Sequence, residues 1–72
     1  MILSTAQTGK EYIIQRIETD DPDLDSFLFS LGCYSGEPIT VISRRRHCIT
    51  VSIKDGRYNM DIQLAQAIIV AE

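Results

Sequence analysis

The sequence predicts a mostly β domain: a small five-stranded barrel with one short α-helix after the first strand and a short helical turn before the last strand. Three observations lead to this prediction. Apolar and polar residues alternate cleanly over residues 49–53, as in a half-buried strand. An Asp55-Gly56 dipeptide, typical of a tight hairpin, follows shortly after. Only residues 20–32 have the spacing of an amphipathic helix. The 72 residues make one domain, residues 1–72.

The first strand is predicted after a turn at Thr8-Gly9, in the segment of residues 10–18. This segment is rich in β-branched and aromatic residues, which favour strands. Ile14 and Ile17 break the strict alternation of the pattern. We therefore expect a bulge, or the end of the strand, near Gln15.

The helix has a start signal, an apolar stripe and a stop signal. Asp20 or Asp21 can cap its first turn, and Pro22 suits the first helical position because its missing N–H costs nothing there. Gly32 is the expected C-terminal cap. Four residues at helical spacing are predicted to pack on the sheet: Leu24, Phe27, Leu28 and Leu31. Phe29 is predicted on nearly the opposite side of the helix.

Three further strands and a helical turn complete the predicted barrel. Residues 38–43 alternate as a strand, and residues 44–47 are polar enough for a loop or hairpin end. Asp55-Gly56 is expected in a type I′ turn, with positive φ at both residues. Residues 61–66 predict a short helical turn. Residues 67–71 predict a last strand that pairs with the first and closes the barrel.

Composition excludes several functional classes. The net charge of −3 argues against a general nucleic-acid binder, and no nucleic-acid partner is expected. The chain begins without the pattern of a signal peptide and has no membrane-length apolar run, so we expect a cytoplasmic protein. The residues show no phosphate loop, and the adjacent His47 and Cys48 would point to opposite faces of a strand, so we expect neither enzymatic activity nor a cofactor. In a reducing compartment the two cysteines are expected to be free thiols.

The Arg44-Arg45-Arg46 run is the strongest charge feature. It is either a solvated loop that protects a strand end, or a contact for an acidic protein surface or anionic lipid headgroups. Nucleic acid is disfavoured because no stacking aromatic residues lie nearby.

Phe29, Cys33 and Tyr34 form a second candidate. An outward apolar residue on a helix, beside an aromatic residue in the following turn, can anchor a partner interface. The alternative is an ordinary exposed phenylalanine.

Two segments carry a family resemblance: Leu28-Phe29-Ser30-Leu31-Gly32 with Gly36 after it, and the ending of residues 64–70. On these segments, and on apolar and glycine positions along nearly the whole chain, the sequence resembles the ferrous iron transport protein A (FeoA) family. It departs from the family pattern at Phe27, where members often have a basic residue, and at Ser35, where they often have proline.

The resemblance implies an SH3-like barrel and an accessory role in bacterial ferrous iron uptake. The implied partner is the cytosolic region of the FeoB-type membrane transporter, which includes a GTP-binding domain. Three alternatives stay open at this point. An arginine of residues 44–46 could act in trans on GTP hydrolysis. Cys33, His47 or Cys48 could handle iron or zinc. The chain could instead be an isolated SH3-like regulatory module of the metal-dependent repressor type.

Overall fold

The computed structural model of the chain describes residues 1–71. The described elements follow the predicted order of strand, helix, three strands, helical turn and strand. They are a 3₁₀ turn (Leu3–Thr5), β1 (Glu11–Ile17), α1 (Pro22–Leu31), β2 (Pro38–Arg44), β3 (Cys48–Ile53), β4 (Gly56–Asp61), α2 (Ile62–Gln66) and β5 (Ile68–Ala71).

All five strands belong to one antiparallel sheet in the order β4-β3-β2-β1-β5. The predicted pairing of the last strand with the first is confirmed, with Ile14 opposite Val70. The register shifts between Ile14 and Arg16, which confirms the bulge expected near Gln15. These features establish the mostly β fold class.

The predicted closure of the barrel is wrong, because β4 and β5 form the two edges of the sheet and do not pair. Helix α2 connects these strands and lies against both of them. Asp61 caps this helix by accepting a hydrogen bond from the backbone N–H of Leu64 at 2.7 Å. The helical turn therefore occupies the gap that direct pairing of β4 with β5 would close.

The core lies on the inner face of the sheet, under α1 and α2. It combines alternate strand residues with one residue of each helix, Leu28 and Ala65, and with three residues outside them, Leu3, Ala6 and Cys33. Val41, Val51 and Val70 are fully buried on three different strands. No charged or polar residue of the described chain is buried. The fold therefore depends on apolar burial rather than on a buried polar network.

Helix α1 begins and ends where the sequence predicts. The Asp21 carboxylate accepts hydrogen bonds from the backbone N–H of Asp23 at 3.0 Å and of Leu24 at 3.4 Å. Gly32 ends the helix in the left-handed region, with φ at 97°. That conformation strains residues with a β-carbon and explains the glycine.

The buried stripe of α1 is narrower than predicted. Leu28 is fully buried and Leu24 and Leu31 are half-buried, but Phe27 is 50% exposed. Successive helical residues are about 100° apart, so Phe27 lies well to one side of Leu28. A ten-residue helix touches the sheet along the line of Leu24, Leu28 and Leu31, and Phe27 falls beyond it.

The β3–β4 hairpin is confirmed, but its predicted type I′ turn at Asp55-Gly56 is wrong. Ile53 pairs with Gly56, so the two loop residues are Lys54 and Asp55. Lys54 has φ of 53° and is the only non-glycine residue with positive φ in residues 1–71. Gly56 has another role: a β-carbon there would lie 2.6 Å from the Tyr58 hydroxyl oxygen. The glycine makes room for the Tyr58 ring.

No helix within residues 1–71 combines the length and the apolar character needed to cross a membrane.

Candidate protein-binding surface

Phe29 stands on the outward side of α1, as the sequence predicts. Its side chain is 65% exposed, whereas its neighbour Leu28 is fully buried. The Phe29 ring contacts the Tyr34 ring, with centroids 4.9 Å apart and planes tilted by 33°. This distance lies in the range of favourable aromatic pairs. We call Phe29 and Tyr34 together the aromatic ridge.

Lys54, in the β3–β4 hairpin, contacts the aromatic ridge. Its Nζ lies 5.0 Å from the centroid of the Tyr34 ring and 2.7 Å from Oε1 of Glu37. The lysine stem crosses the end of α1 so closely that a β-carbon on Gly32 would meet Lys54 Cε at 3.1 Å. Two segments distant in sequence, the turn after α1 and the β3–β4 hairpin, therefore meet at this point. No sequence pattern links these residues, and the sequence prediction missed Lys54 and Glu37.

The contact between Lys54 and Glu37 favours the charged form of both groups. The hydrogen bond from Lys54, with a smaller contribution from Tyr34, lowers the pKa of Glu37 below its ordinary value. The hydrogen bond to Glu37 and the neighbouring Tyr34 in turn raise the pKa of Lys54. Both groups are therefore charged at neutral pH. Because their charges offset each other, the surface near the aromatic ridge has little net charge.

Two shallow grooves flank the aromatic ridge, and Phe29 and Tyr34 line both of them. The first groove runs toward the hairpin and includes Ile53, Lys54 and Tyr58. The second runs toward the end of β1 and includes Arg16, Ile17 and Asp25. An exposed phenylalanine packed on a half-buried tyrosine, between two grooves, is typical of an anchoring surface for a protein partner.

Cys33 lines the second groove, but its side chain is almost wholly buried, so it offers a partner little of the surface that the sequence prediction gave it. Its side chain is only 1% exposed and lies in the core. The backbone N–H of Cys33 donates to the carbonyl oxygen of Leu28 at 2.9 Å, and that of Gly32 donates to Phe29. This is the Schellman pattern, in which the residue after the glycine turns back onto the helix. Burial raises the pKa of the Cys33 thiol to about 11, so the thiol stays protonated and unreactive.

All three arginines are exposed, but only the side chain of Arg44 is hydrogen-bonded to another part of the described chain. Arg44, the last residue of β2, donates from Nη2 to the carbonyl oxygens of Ser4 at 3.0 Å and Ala6 at 2.5 Å. Arg45 and Arg46 are exposed in the β2–β3 connection. Neither forms an ion pair with any residue in the described part of the chain. Arg44 thus holds the N-terminal segment, whereas the side chains of Arg45 and Arg46 form no such bonds within residues 1–71.

The arginines and the aromatic ridge lie at opposite ends of β3. The connection of residues 45–47 precedes this strand and Lys54 follows it. Six residues of strand span about 17 Å at 3.4 Å per step. The predicted partner-binding residues therefore form two separate patches. Within residues 1–71, no three His, Cys, Asp or Glu side chains are grouped so that they could hold a metal ion.

Solved structures share this architecture. A manganese-dependent transcriptional repressor superposes with a TM-score of 0.89 at 26% identity, over 97% of this chain and 40% of the repressor. A crystal structure of the iron uptake regulatory protein FeoA gives 0.88 at 24% identity, over 97% and 93% of the two chains. The zinc complex of Stenotrophomonas maltophilia FeoA, described as a procaryotic SH3 domain protein, gives 0.88 at 17%, over 99% and 89%. The chain thus spans less than half of the repressor but most of both FeoA proteins. No curated protein sequence matches it closely.

The fold described above is that of a small SH3-like domain. A family model for the FeoA domain matches residues 1–72, the whole chain. The chain therefore belongs to the FeoA family, as the sequence resemblance predicted, and this relates it to ferrous iron transport.

Proposed function

We propose that this protein is a cytoplasmic accessory protein of ferrous iron uptake, acting as one domain over residues 1–72. It binds the cytosolic region of a FeoB-type membrane transporter and supports or regulates transport. Membership of the FeoA family supports the pathway. The SH3-like fold supports a role in binding proteins, a role that rests on the surface rather than on the fold alone.

The aromatic ridge is the observation that carries this proposal. Phe29 leaves 65% of a large apolar side chain in water, where it contributes little to the core. Its contact with Tyr34 and the Lys54–Glu37 ion pair hold the ridge in a fixed position. A pre-ordered aromatic anchor binds a partner with a smaller loss of conformational entropy than a mobile one.

The test is a titration of the transporter's purified cytosolic region with this protein, measured by calorimetry. Phe29→Ala should weaken binding at least about 10-fold, because aromatic anchors often contribute about 2 kcal/mol or more to a protein interface. Phe27→Ala is the matched control. Phe27 is a second exposed phenylalanine on the same helix, 50% exposed, and it lines neither groove.

Two outcomes would contradict the proposal. One is no binding at tens of micromolar, either to the isolated cytosolic region or to full-length transporter in membranes. The other is equal weakening by Phe27→Ala and Phe29→Ala, which would show that the aromatic ridge is not the contact.

A second candidate function is regulation of the transporter's GTP hydrolysis by an arginine supplied in trans. The exposure of Arg45 and Arg46 without an ion-pair partner in residues 1–71 favours this candidate over a purely structural role. An arginine inserted beside the transferred phosphate stabilises the charge of the transition state. The measurement is the GTPase rate with and without this protein. The rate should rise with the wild type and with Lys10→Ala, which removes an exposed positive charge that lines neither groove, and not with the Arg45→Ala, Arg46→Ala double variant.

A further inference from the structure

The two edge strands of the sheet, β4 and β5, differ in whether another segment covers their outer side. Residues 1–2 cover the β5 edge: the amino group of Met1 donates to the Val70 carbonyl at 3.0 Å, and the Met1 carbonyl accepts from the Val70 N–H at 2.8 Å. Ile2 also bridges to Ile69. Strand β4 pairs only with β3, and none of the described residues forms a backbone hydrogen bond with its outer side. One edge is therefore covered and the other is open to a further strand.

The register of the hairpin shows which backbone groups face the open edge. In a two-residue hairpin the pair that flanks the loop, here Ile53 and Gly56, is hydrogen-bonded, and every second pair after it is bonded too. The Ile62 N–H donates to the His47 carbonyl at 3.1 Å and continues this series. The N–H groups of Arg57, Asn59 and Asp61 must then point away from β3. All three residues are exposed.

The three residues with outward-pointing backbone groups can pair with the same three residues of a second copy. When two β4 strands run antiparallel and are centred on Asn59, Arg57 lies opposite the partner's Asp61, and Asp61 lies opposite the partner's Arg57. In this alignment the central pair and the pair on each side of it consist of residues whose backbone groups point toward the other copy, as a hydrogen-bonded ladder requires. A slide of two residues toward the hairpin would place Asp61 opposite the partner's Asp55, and two facing like charges repel.

We propose that β4 pairs with β4 of a second copy of this chain, making one continuous ten-stranded sheet across a two-fold axis at Asn59. Four backbone hydrogen bonds join the copies: two between the Asn59 residues, and one from each Asp61 N–H to the partner's Arg57 carbonyl, since the Asp61 carbonyl already accepts the first hydrogen bond of α2. A contact along one short strand buries less area than a permanent dimer needs, so the association is reversible.

Sedimentation velocity over concentrations up to about 1 mM tests the pairing. The wild type should shift from monomer to dimer as concentration rises. Arg57→Glu places like charges opposite each other and should weaken dimerisation at least about 10-fold. Lys10→Glu makes the same charge change on an exposed residue next to β1, which β2 and β3 separate from β4, and should dimerise like the wild type. A monomeric wild type throughout, or equal association of Arg57→Glu, would overturn the proposal.

Cross-linking tests the register. In a Cys48→Ser background, Asn59→Cys places two thiols across the axis, with Cα atoms about 5.5 Å apart. Arg57→Cys is the control, because its two copies would lie about 13 Å apart along the strands. A short thiol cross-linker should join Asn59→Cys chains and leave Arg57→Cys chains single.

The reverse cross-linking pattern would contradict the register. A further outcome concerns the occupant of the edge. The Arg57 and Asn59 amide signals in NMR spectra could respond to the transporter's cytosolic region and not to the concentration of this protein. The open edge would then serve another protein, and the pairing of two copies would be wrong.

Discussion

Leu28 and Phe29 are neighbours on α1 with opposite surroundings, and this contrast gives a sharp stability prediction. Leu28 is 0% exposed in the core, whereas Phe29 is 65% exposed on the aromatic ridge. Leu28→Ala removes buried apolar area and leaves a cavity between α1 and the sheet. Phe29→Ala removes a side chain that is mostly in water. The smaller of the two residues should therefore cause the larger loss of stability.

The magnitudes follow from burial. Removing a fully buried leucine costs about 2–5 kcal/mol of unfolding free energy. A domain of this length has a total of about 4–11 kcal/mol at 0.05–0.15 kcal/mol per residue. A loss of about 3 kcal/mol lowers the melting temperature by roughly 12–24 °C. Phe29→Ala should change the free energy of unfolding by about 0.5 kcal/mol or less.

Urea unfolding followed by circular dichroism measures both variants. The midpoint should fall strongly for Leu28→Ala and little for Phe29→Ala, with similar slopes for all three proteins. Equal losses for the two variants would refute the assignment of inner and outer faces on α1. They would also remove the argument that Phe29 is free to serve a partner.

Three further predictions concern the residues around the end of α1. Gly32→Ala should cost about 1–2 kcal/mol in urea unfolding, because φ is 97° and the new β-carbon would crowd Lys54; a cost near zero would contradict the left-handed cap. The pKa of Glu37 is lower in the folded state than in the unfolded chain, whose ordinary value is near 4.3. Its ion pair therefore adds stability above that ordinary value, and this stability is lost as pH falls through the lower pKa of the folded state. Thermal melts from pH 6 to pH 2.5 should therefore show a smaller fall in melting temperature for Glu37→Gln than for the wild type. An equal fall would contradict the link between protonation of Glu37 and stability. Because Cys33 is buried with a pKa of about 11, a thiol reagent at pH 8 should modify Cys48 first and Cys33 only after denaturation; rapid reaction of both thiols in the folded protein would be inconsistent with the core position of Cys33.

Local signals in the sequence were sufficient to predict most elements of the fold. The cap at Asp21, the proline at the first helical position and the stop at Gly32 are chemical requirements of a helix, and all three are confirmed. The alternation of residues 49–53 predicted β3 because a strand buried on one face needs a period of two. These signals depend only on residues close together in the chain.

The errors arose where tertiary contacts decide the outcome. Closure of the barrel depends on how α2 fills the space between β4 and β5, and no local pattern encodes that. The position of Gly56 is set by the Tyr58 ring and not by a turn that needs positive φ. Phe27 was predicted to pack on the sheet but is exposed, because the spacing of apolar residues shows which side of a helix faces the sheet and not how wide the contact is.

The candidate surface was predicted in part. The outward position of Phe29 followed from helical geometry, and the contact with Tyr34 from their closeness in sequence. The burial of Cys33 could have been foreseen from the glycine cap before it, since the residue after such a cap commonly returns to the helix. The Lys54–Glu37 pair could not, because it joins a hairpin loop to a segment 17 residues away.

The pairing of β1 with β5 also has a consequence for the protein during its synthesis. Ile17 pairs with Ile68, about 50 positions later in the chain, whereas β2, β3 and β4 are joined by connections of two or three residues. At roughly 5–20 residues per second, β1 leaves the ribosome about 3–10 s before its second partner strand exists. Throughout that interval the growing chain carries an unpaired apolar strand edge, and β2 can protect only one side of it.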